Sequence, residues 1–246
     1  MKIYFIRHGA TRGNREHRYV GRTDEGILES EKERLRERGR LLPEPEGMFV
    51  SPSRRCLETA RALFPEVFSQ KGRVIAETDL REMDFGEFEY KNYQELNGNP
   101  AYQKFLDSGG QTGFPGGEEP DAFRRRCREA FFRCIRTAQE HQWETVGFTV
   151  HGGTIMSIME GFAEPPGGYF EYQVRNGCGY ITELAMKASD NPENAAEFPM
   201  KASDNPENAP EFPVKAGNKP DGSAGEISES QKEWFSIKLT IEEEIK

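Results

Sequence analysis

Apolar residues open the chain as a run, Ile3-Tyr4-Phe5-Ile6, that stops at Arg7-His8-Gly9. A short continuous run predicts a strand buried on both faces, and this one hands an arginine and a histidine to the first turn. The pattern recurs. Met48-Phe49-Val50 leads into Ser51-Pro52-Ser53, a helix-start signal, and then into a helix with Arg55 in its first turns. Arg73-Val74-Ile75-Ala76-Glu77 predicts a third strand, followed by the Gly-containing acidic loop from Asp79 to Glu89. Thr145 to Val150 is a fourth by its β-branched and aromatic content, ending at His151-Gly152-Gly153-Thr154. Ile155, Met156, Ile158 and Met159 then predict a helix, and another runs from about Gly117 to Gln139 with Phe123, Cys127, Phe131, Cys134 and Ile135 on one face. Strands alternating with helices predict an α/β, three-layer sandwich whose central sheet is mostly parallel and flanked by helices.

Toward the C-terminus the period changes. Residues 234 to 242 alternate apolar and polar as a half-buried strand does, and Cys178 to Ala185 is the matching partner for a hairpin. Between them Met186 to Pro199 recurs almost letter for letter as Met200 to Pro213, and a decayed third copy starts at Val214. The repeat has neither helical nor strand periodicity, and one aromatic residue per copy cannot offset the entropy of ordering it. The expected organisation is a domain of residues 1–185 completed by the strand in 231–246, with 186–230 a disordered acidic insertion stretching the hairpin. Replacing 186–230 by a short Gly-Asn turn is therefore expected to leave fold and function intact, because loop closure depends only weakly on length. Thermal melting and kcat/KM of the deletion variant check this.

Composition sharpens the picture. The 246 residues are 35% hydrophobic with a net charge of −9, and a mean hydropathy of −0.80 is low for a wholly compact chain. Residues 186–230 hold four lysines against nine acidic residues and so carry five of the nine net negative charges. An acidic balance without an aromatic and basic stripe argues against nucleic acid as a partner. The apolar start is interrupted at Lys2 and stops at Arg7, so neither a signal peptide nor a membrane span is expected, and the chain reads as cytoplasmic. Cys56, Cys127, Cys134 and Cys178 form no Cys-x-x-Cys pair, which supports neither a zinc site nor a disulfide framework. His17 and His141 read as surface residues.

In open α/β sheets ligands bind beyond the carboxyl ends of the strands, and a strand-end imidazole beside a guanidinium suits a phosphate nucleophile. Two arginines, two histidines and a carboxylate can move a phosphoryl group without a metal or cofactor, since positioning and charge neutralisation carry the reaction. Strand-Arg7-His8-Gly9, Ser51-Pro52-x-x-Arg55, Leu80-x-Glu82-x-x-x-Gly86 and strand-His151-Gly152, in that order, resemble the histidine phosphatase superfamily, also called the phosphoglycerate mutase-like family.

That resemblance implies a phosphomonoesterase acting on a small phosphorylated metabolite. His8 would be the nucleophile, Arg7, Arg55 and His151 the phosphoryl clamp, and Glu82 the general acid and base. Asn14, the Gly152 N–H and Thr11 would be substrate-binding groups. Asp84, Glu87 and Glu89 compete with Glu82 as acids, and the motif alignment favours Glu82. The family pattern is broken at Ala10 and at Phe88-Glu89-Tyr90, near the pocket mouth, which bears on substrate rather than reaction. The 69 positions from Glu82 to His151 are short for the helical insertion of the cofactor-dependent mutases, so hydrolysis is favoured over mutase activity, and Phe114-Pro115-Gly116-Gly117-Glu118 resembles the α-ribazole phosphatase branch. A catalytically idle phosphate-binding scaffold is the remaining alternative. Arg12, Arg15, Arg18 and Arg22 read as a field steering an anionic substrate, with pairing to Glu29, Glu31 and Glu33 as the other reading.

Overall fold

The computed structural model describes residues 1–110, 112–187 and 236–245. Its strands are β1 (Lys2–Arg7), β2 (Gly47–Val50), β3 (Val74–Ala76), β4 (Thr145–Val150), β5 (Ala163–Glu164), β6 (Gly179–Lys187) and β7 (Ser236–Ile245). They form one sheet in the order β3-β2-β4-β1-β6-β7-β5. From β3 to β1 all neighbours are parallel, with β1 in register from Lys2 opposite Thr145 to Arg7 opposite Val150, whereas β6 runs antiparallel to β1. The sheet is therefore mixed, and its parallel half brings four carboxyl ends to one edge. β7 lies beside β6, as the alternating pattern predicts, and extends to Ile245.

The helices are α1 (Arg12–Arg15), α2 (Glu29–Gly39), α3 (Arg54–Leu63), α4 (Pro65–Ser69), α5 (Tyr93–Leu96), α6 (Pro100–Asp107), α7 (Pro120–Glu140) and α8 (Gly152–Phe162). None among the described residues is long and apolar enough to cross a membrane. Successive β1 side chains point to opposite faces, and both faces are covered. Tyr4 and Ile6 join Leu35 of α2 and Ala60 and Leu63 of α3 in one cluster. Phe5 lies 5.7 Å from Phe131 of α7 and 5.3 Å from Phe148, and Phe131 meets Phe162 of α8 at 5.6 Å. Each buried ring contributes about 1.5–3 kcal/mol, so the unbroken apolar runs are what a two-faced parallel sheet requires.

Residues Met1–Ala185 and the segment Lys238–Lys246 belong to one compact unit. The acidic insertion expected over 186–230 lies, past Lys187, outside the described residues. α2 has only Leu35 buried and no apolar stripe. It is supported by Lys32–Glu29, Arg34–Glu31 and Arg36–Glu33 pairs one turn apart, with acidic residues in its first turn and basic ones in its last.

After β1 the chain crosses to α2 on one face, and after β4 it enters α8 on the other. Loops leaving adjacent strand ends in opposite directions open a crevice between them. His8 and His151 leave those two ends, with ring centroids 5.3 Å apart.

Candidate active site

His8 is buried, and its backbone N–H donates to the Val150 carbonyl at 3.0 Å, tying the first turn to β4. Its Nδ1 lies 2.8 Å from the Gly9 carbonyl oxygen. A carbonyl only accepts, so Nδ1 carries the hydrogen and Nε2 keeps its lone pair. Burial, then the positive charges of Arg55 and Arg7, hold the His8 pKa well below the ordinary 6.5. At neutral pH this imidazole is uncharged, with one defined basic nitrogen.

Arg55 enters from the first turn of α3 and is fully buried. Three carbonyls of one loop cradle it: Nη1 donates to Thr23 at 2.8 Å, and Nη2 to Gly21 at 2.9 Å and Val20 at 3.3 Å. Arg7 donates through Nη1 to the Val174 carbonyl at 2.8 Å. The Nε–H of both arginines is buried and has no acceptor among the described residues. A buried donor left unmatched costs about 1–3 kcal/mol, and a phosphoryl oxygen is an acceptor that suits a guanidinium edge.

His151 caps α8 and is fully buried, its Nε2 lying 2.8 Å from the Ser51 hydroxyl. Burial, then Arg55, His8 and Arg7, also push its pKa well below the usual value. The two imidazoles are therefore neutral, and the two arginines supply a double positive charge to match a phosphoryl dianion.

Glu82 follows a short 3-10 turn, Thr78–Leu80, after β3. Oε1 accepts from the Met83 N–H at 3.0 Å and Oε2 from the Gly153 N–H at 3.2 Å. Burial raises its pKa from the ordinary glutamate value against the opposing pull of those N–H groups and of Arg7 and Arg55. A carboxyl that holds its proton longer suits proton donation to a leaving oxygen. Gly153 is glycine for a reason, since a β-carbon there would collide with Glu82 Oε1. The competing carboxylates are engaged differently. Asp84 accepts from the Gly86 N–H at 2.8 Å and pairs with Arg22 at 3.1 Å, Glu87 is exposed, and Glu89 is bound to the loop that holds Arg55.

Of the weaker candidates, Gly152 lies against Arg7, whose guanidinium carbon would be 3.4 Å from a β-carbon at that position. Asn14 lines the same cavity as Arg7 and His8. Thr11 does not: its hydroxyl accepts from the Asn14 N–H and its own N–H donates to Asn14 Oδ1, both at 3.2 Å, closing a capping box on α1. Asn176, not anticipated from the sequence, donates to Asn14 Oδ1 at 3.0 Å and to the His8 carbonyl at 3.1 Å.

Two cavities meet at Glu82. One, of about 300 Å³, has Arg7, His8, Asn14 and Gly152 on its polar side. The other, of about 500 Å³, is lined by Ser51, Ser53, Arg55 and His151. The first cavity is also lined by Tyr19, Phe85, Phe105, Phe114, Phe123 and Tyr169, several in ring contact, including Phe105–Phe114 at 4.7 Å and Phe85–Phe114 at 5.0 Å. These rings come from separate loops and helices at no regular spacing, so no periodicity revealed them.

The expected steering field is corrected by the pairing of its members. Arg12 meets Glu16 at 2.7 Å, Arg18 meets Glu16 at 2.6 Å and Glu95 at 2.7 Å, and Arg22 meets Asp84. Arg15 donates to the Ser30 hydroxyl at 3.3 Å. Three of the four are neutralised by carboxylates outside the predicted Glu29, Glu31 and Glu33 run.

The profile of the histidine phosphatase superfamily (branch 1) matches residues 3–189. The chain is 25% identical over 162 residues to "Putative phosphoserine phosphatase 2" of Hydrogenobacter thermophilus, covering 64% of this chain and 76% of that protein. It is also 25% identical over 166 residues to "Probable phosphoglycerate mutase GpmB" of an Enterobacter species, covering 65% and 75%. The crystal structure of the alpha-ribazole phosphatase from Shigella flexneri superposes with a TM-score of 0.65 over 75% of this chain and 91% of that one, at 19% identity, a likeness of fold.

Proposed function

Because the chain belongs to the histidine phosphatase superfamily (branch 1), we propose that it hydrolyses small phosphomonoesters through a phosphohistidine on His8. The buried, unmatched Nε–H groups of Arg7 and Arg55 beside a neutral His8 carry this reading. The Nε2 lone pair attacks phosphorus while Glu82 gives its proton to the departing alcohol oxygen. Water then attacks the phosphohistidine, Glu82 takes a proton from it, and the N–P electron pair returns to Nε2. Arg7, Arg55 and His151 stabilise the phosphoryl oxygens in both steps, and the N–H groups of Gly152 and the Asn14 amide complete the ring of donors.

The aromatic wall supports an apolar departing alcohol. A phosphoryl group held at His8 directs its ester oxygen toward Glu82 and the rest of the substrate against Tyr19, Phe105 and Phe114, so an apolar or aromatic alcohol fits this cavity better than a short charged one. Comparing 3-phenylpropyl phosphate with propyl phosphate tests the point, because the reacting centre is the same in both. Burying one ring is worth about 1.5–3 kcal/mol, so kcat/KM is expected to favour the phenyl compound by roughly 10- to 100-fold. Equal values would remove the apolar assignment. Phosphoserine and 3-phosphoglycerate belong in the same panel. Release of inorganic phosphate supports the hydrolase, a positional isomer of phosphoglycerate would establish the mutase, and binding without turnover of any ester would leave a phosphate-binding scaffold.

A further inference from the structure

Glu89 lies seven residues beyond Glu82, and its carboxylate takes its hydrogen bonds from the loop that cradles Arg55. Oε1 accepts from the Thr23 N–H at 2.9 Å, the Thr23 hydroxyl at 2.8 Å and the Gly21 N–H at 3.1 Å, while Oε2 lies 3.2 Å from the same Gly21 nitrogen. Gly21 and Thr23 face two ways. Their N–H groups bind Glu89, and their carbonyls receive Arg55 at 2.9 and 2.8 Å. No side chain fits at Gly21, since a β-carbon there would collide with the Met83 carbonyl and approach Glu89 Oε2 to 2.9 Å.

The backbone beside Glu89 is held in an uncommon conformation. Tyr90 has φ of +58°, which disfavours an L side chain by about 1–2 kcal/mol. It persists because Tyr90 N–H donates to the Tyr19 carbonyl at 2.7 Å and Tyr19 N–H to the Lys91 carbonyl at 3.0 Å. Such strain survives where neighbouring bonds over-determine the chain. Here they fix the 89–91 segment against the loop whose carbonyls hold Arg55.

The geometry points to Glu89 as a positioning residue for the phosphoryl clamp: its carboxylate orders the Gly21–Thr23 loop so that the Gly21 and Thr23 carbonyls aim the buried Arg55 guanidinium at the phosphoryl group. Glu89 touches no reacting atom. Its negative charge also polarises the two peptide groups it binds, which strengthens the opposite carbonyls as acceptors for a cation. This inference rests on the clamp role of Arg55 proposed above.

A double-mutant cycle separates the two ideas. Arg55→Ala alone is expected to lower kcat by about 10²–10³, as removal of one preorganised transition-state donor does, and to weaken competitive inhibition by inorganic phosphate. Glu89→Ala in the wild-type background is expected to lower kcat by about 10-fold or more and to raise the phosphate inhibition constant, with Glu89→Gln recovering most of the loss through its remaining acceptor oxygen. In the Arg55→Ala background Glu89→Ala is expected to change kcat by less than about 2-fold, because residues acting through one another are not additive. Should Glu89→Ala fail to fold, Glu89→Asp, which retracts the carboxylate by one methylene, runs the same cycle. An equal loss in both backgrounds, or no loss in wild type, overturns the positioning role. An unaffected Arg55→Ala overturns the clamp instead.

Discussion

Replacing His8 with alanine is expected to lower turnover of any phosphomonoester by at least about 10⁴-fold and to abolish an acid-labile phosphoenzyme, in a chain that stays folded. The size follows from the site. His8 Nε2 is the basic nitrogen left by the Nδ1–Gly9 hydrogen bond, and its pKa is held low by burial and two arginines. No other imidazole replaces it. His151 shares the crevice, but its Nε2 lies 2.8 Å from the Ser51 hydroxyl and 3.4 Å from that of Ser53, which engages that nitrogen. The stability cost is small, since the lost Nδ1–Gly9 bond is worth about 0.5–1.5 kcal/mol net. Rapid alkaline quenching with a ³²P-labelled ester, loss of the retained label on later acid treatment and circular dichroism together decide the matter. Label retained by a folded His8→Ala chain would move the nucleophile elsewhere.

The placement of Arg7, His8 and His151 was legible because each stands at the end of a strand that announces itself. Ile3 to Ile6 and Thr145 to Val150 are apolar runs with one destination, a parallel sheet covered on both faces, and a residue following such a run has its position fixed by the sheet rather than by its neighbours. Arg55 is the instructive case. Its place in a helix start was readable from Ser51-Pro52-Ser53, but the carbonyl cradle at Val20, Gly21 and Thr23 joins residues more than thirty positions away. Glu89 was visible only as a rival acid, because a carboxylate in a Gly-containing loop reads alike whether it faces substrate or a backbone. The aromatic wall was hidden for a related reason: Tyr19, Phe105 and Phe114 share no element, and their mutual contacts arise from tertiary approach. α2 escaped periodicity because ion pairs one turn apart support it in place of an apolar stripe.

Glu82→Gln is expected to lower kcat/KM on alkyl phosphates by about 10²–10⁴ and to change the pH profile in a defined way. Glu82 must be protonated when it meets the ester oxygen, so wild-type kcat/KM falls as pH rises through its pKa, and burial shifts that limb upward from where an ordinary glutamate would put it. On the acid side His8 must be unprotonated. Its pKa lies well below 6.5, so activity should persist on the acid side of an ordinary histidine titration. The phosphate ester titrates too, at roughly pH 6, but it does so identically in wild type and variant and cancels in their ratio. That ratio should therefore shrink as pH rises, since the wild type loses its proton donor while the variant has none to lose. Leaving-group chemistry supplies the second control. An aryl phosphate such as 4-nitrophenyl phosphate departs as a stable phenolate and needs no proton, and kcat/KM stops at the first irreversible step, before Glu82 acts on water. Glu82→Gln should then cost far less on the aryl ester than on 3-phenylpropyl phosphate. Equal losses on the two, with a pH-independent ratio, would show that Glu82 shapes the cavity without donating its proton, and Asp84, which also lines the larger cavity, would become the acid to test.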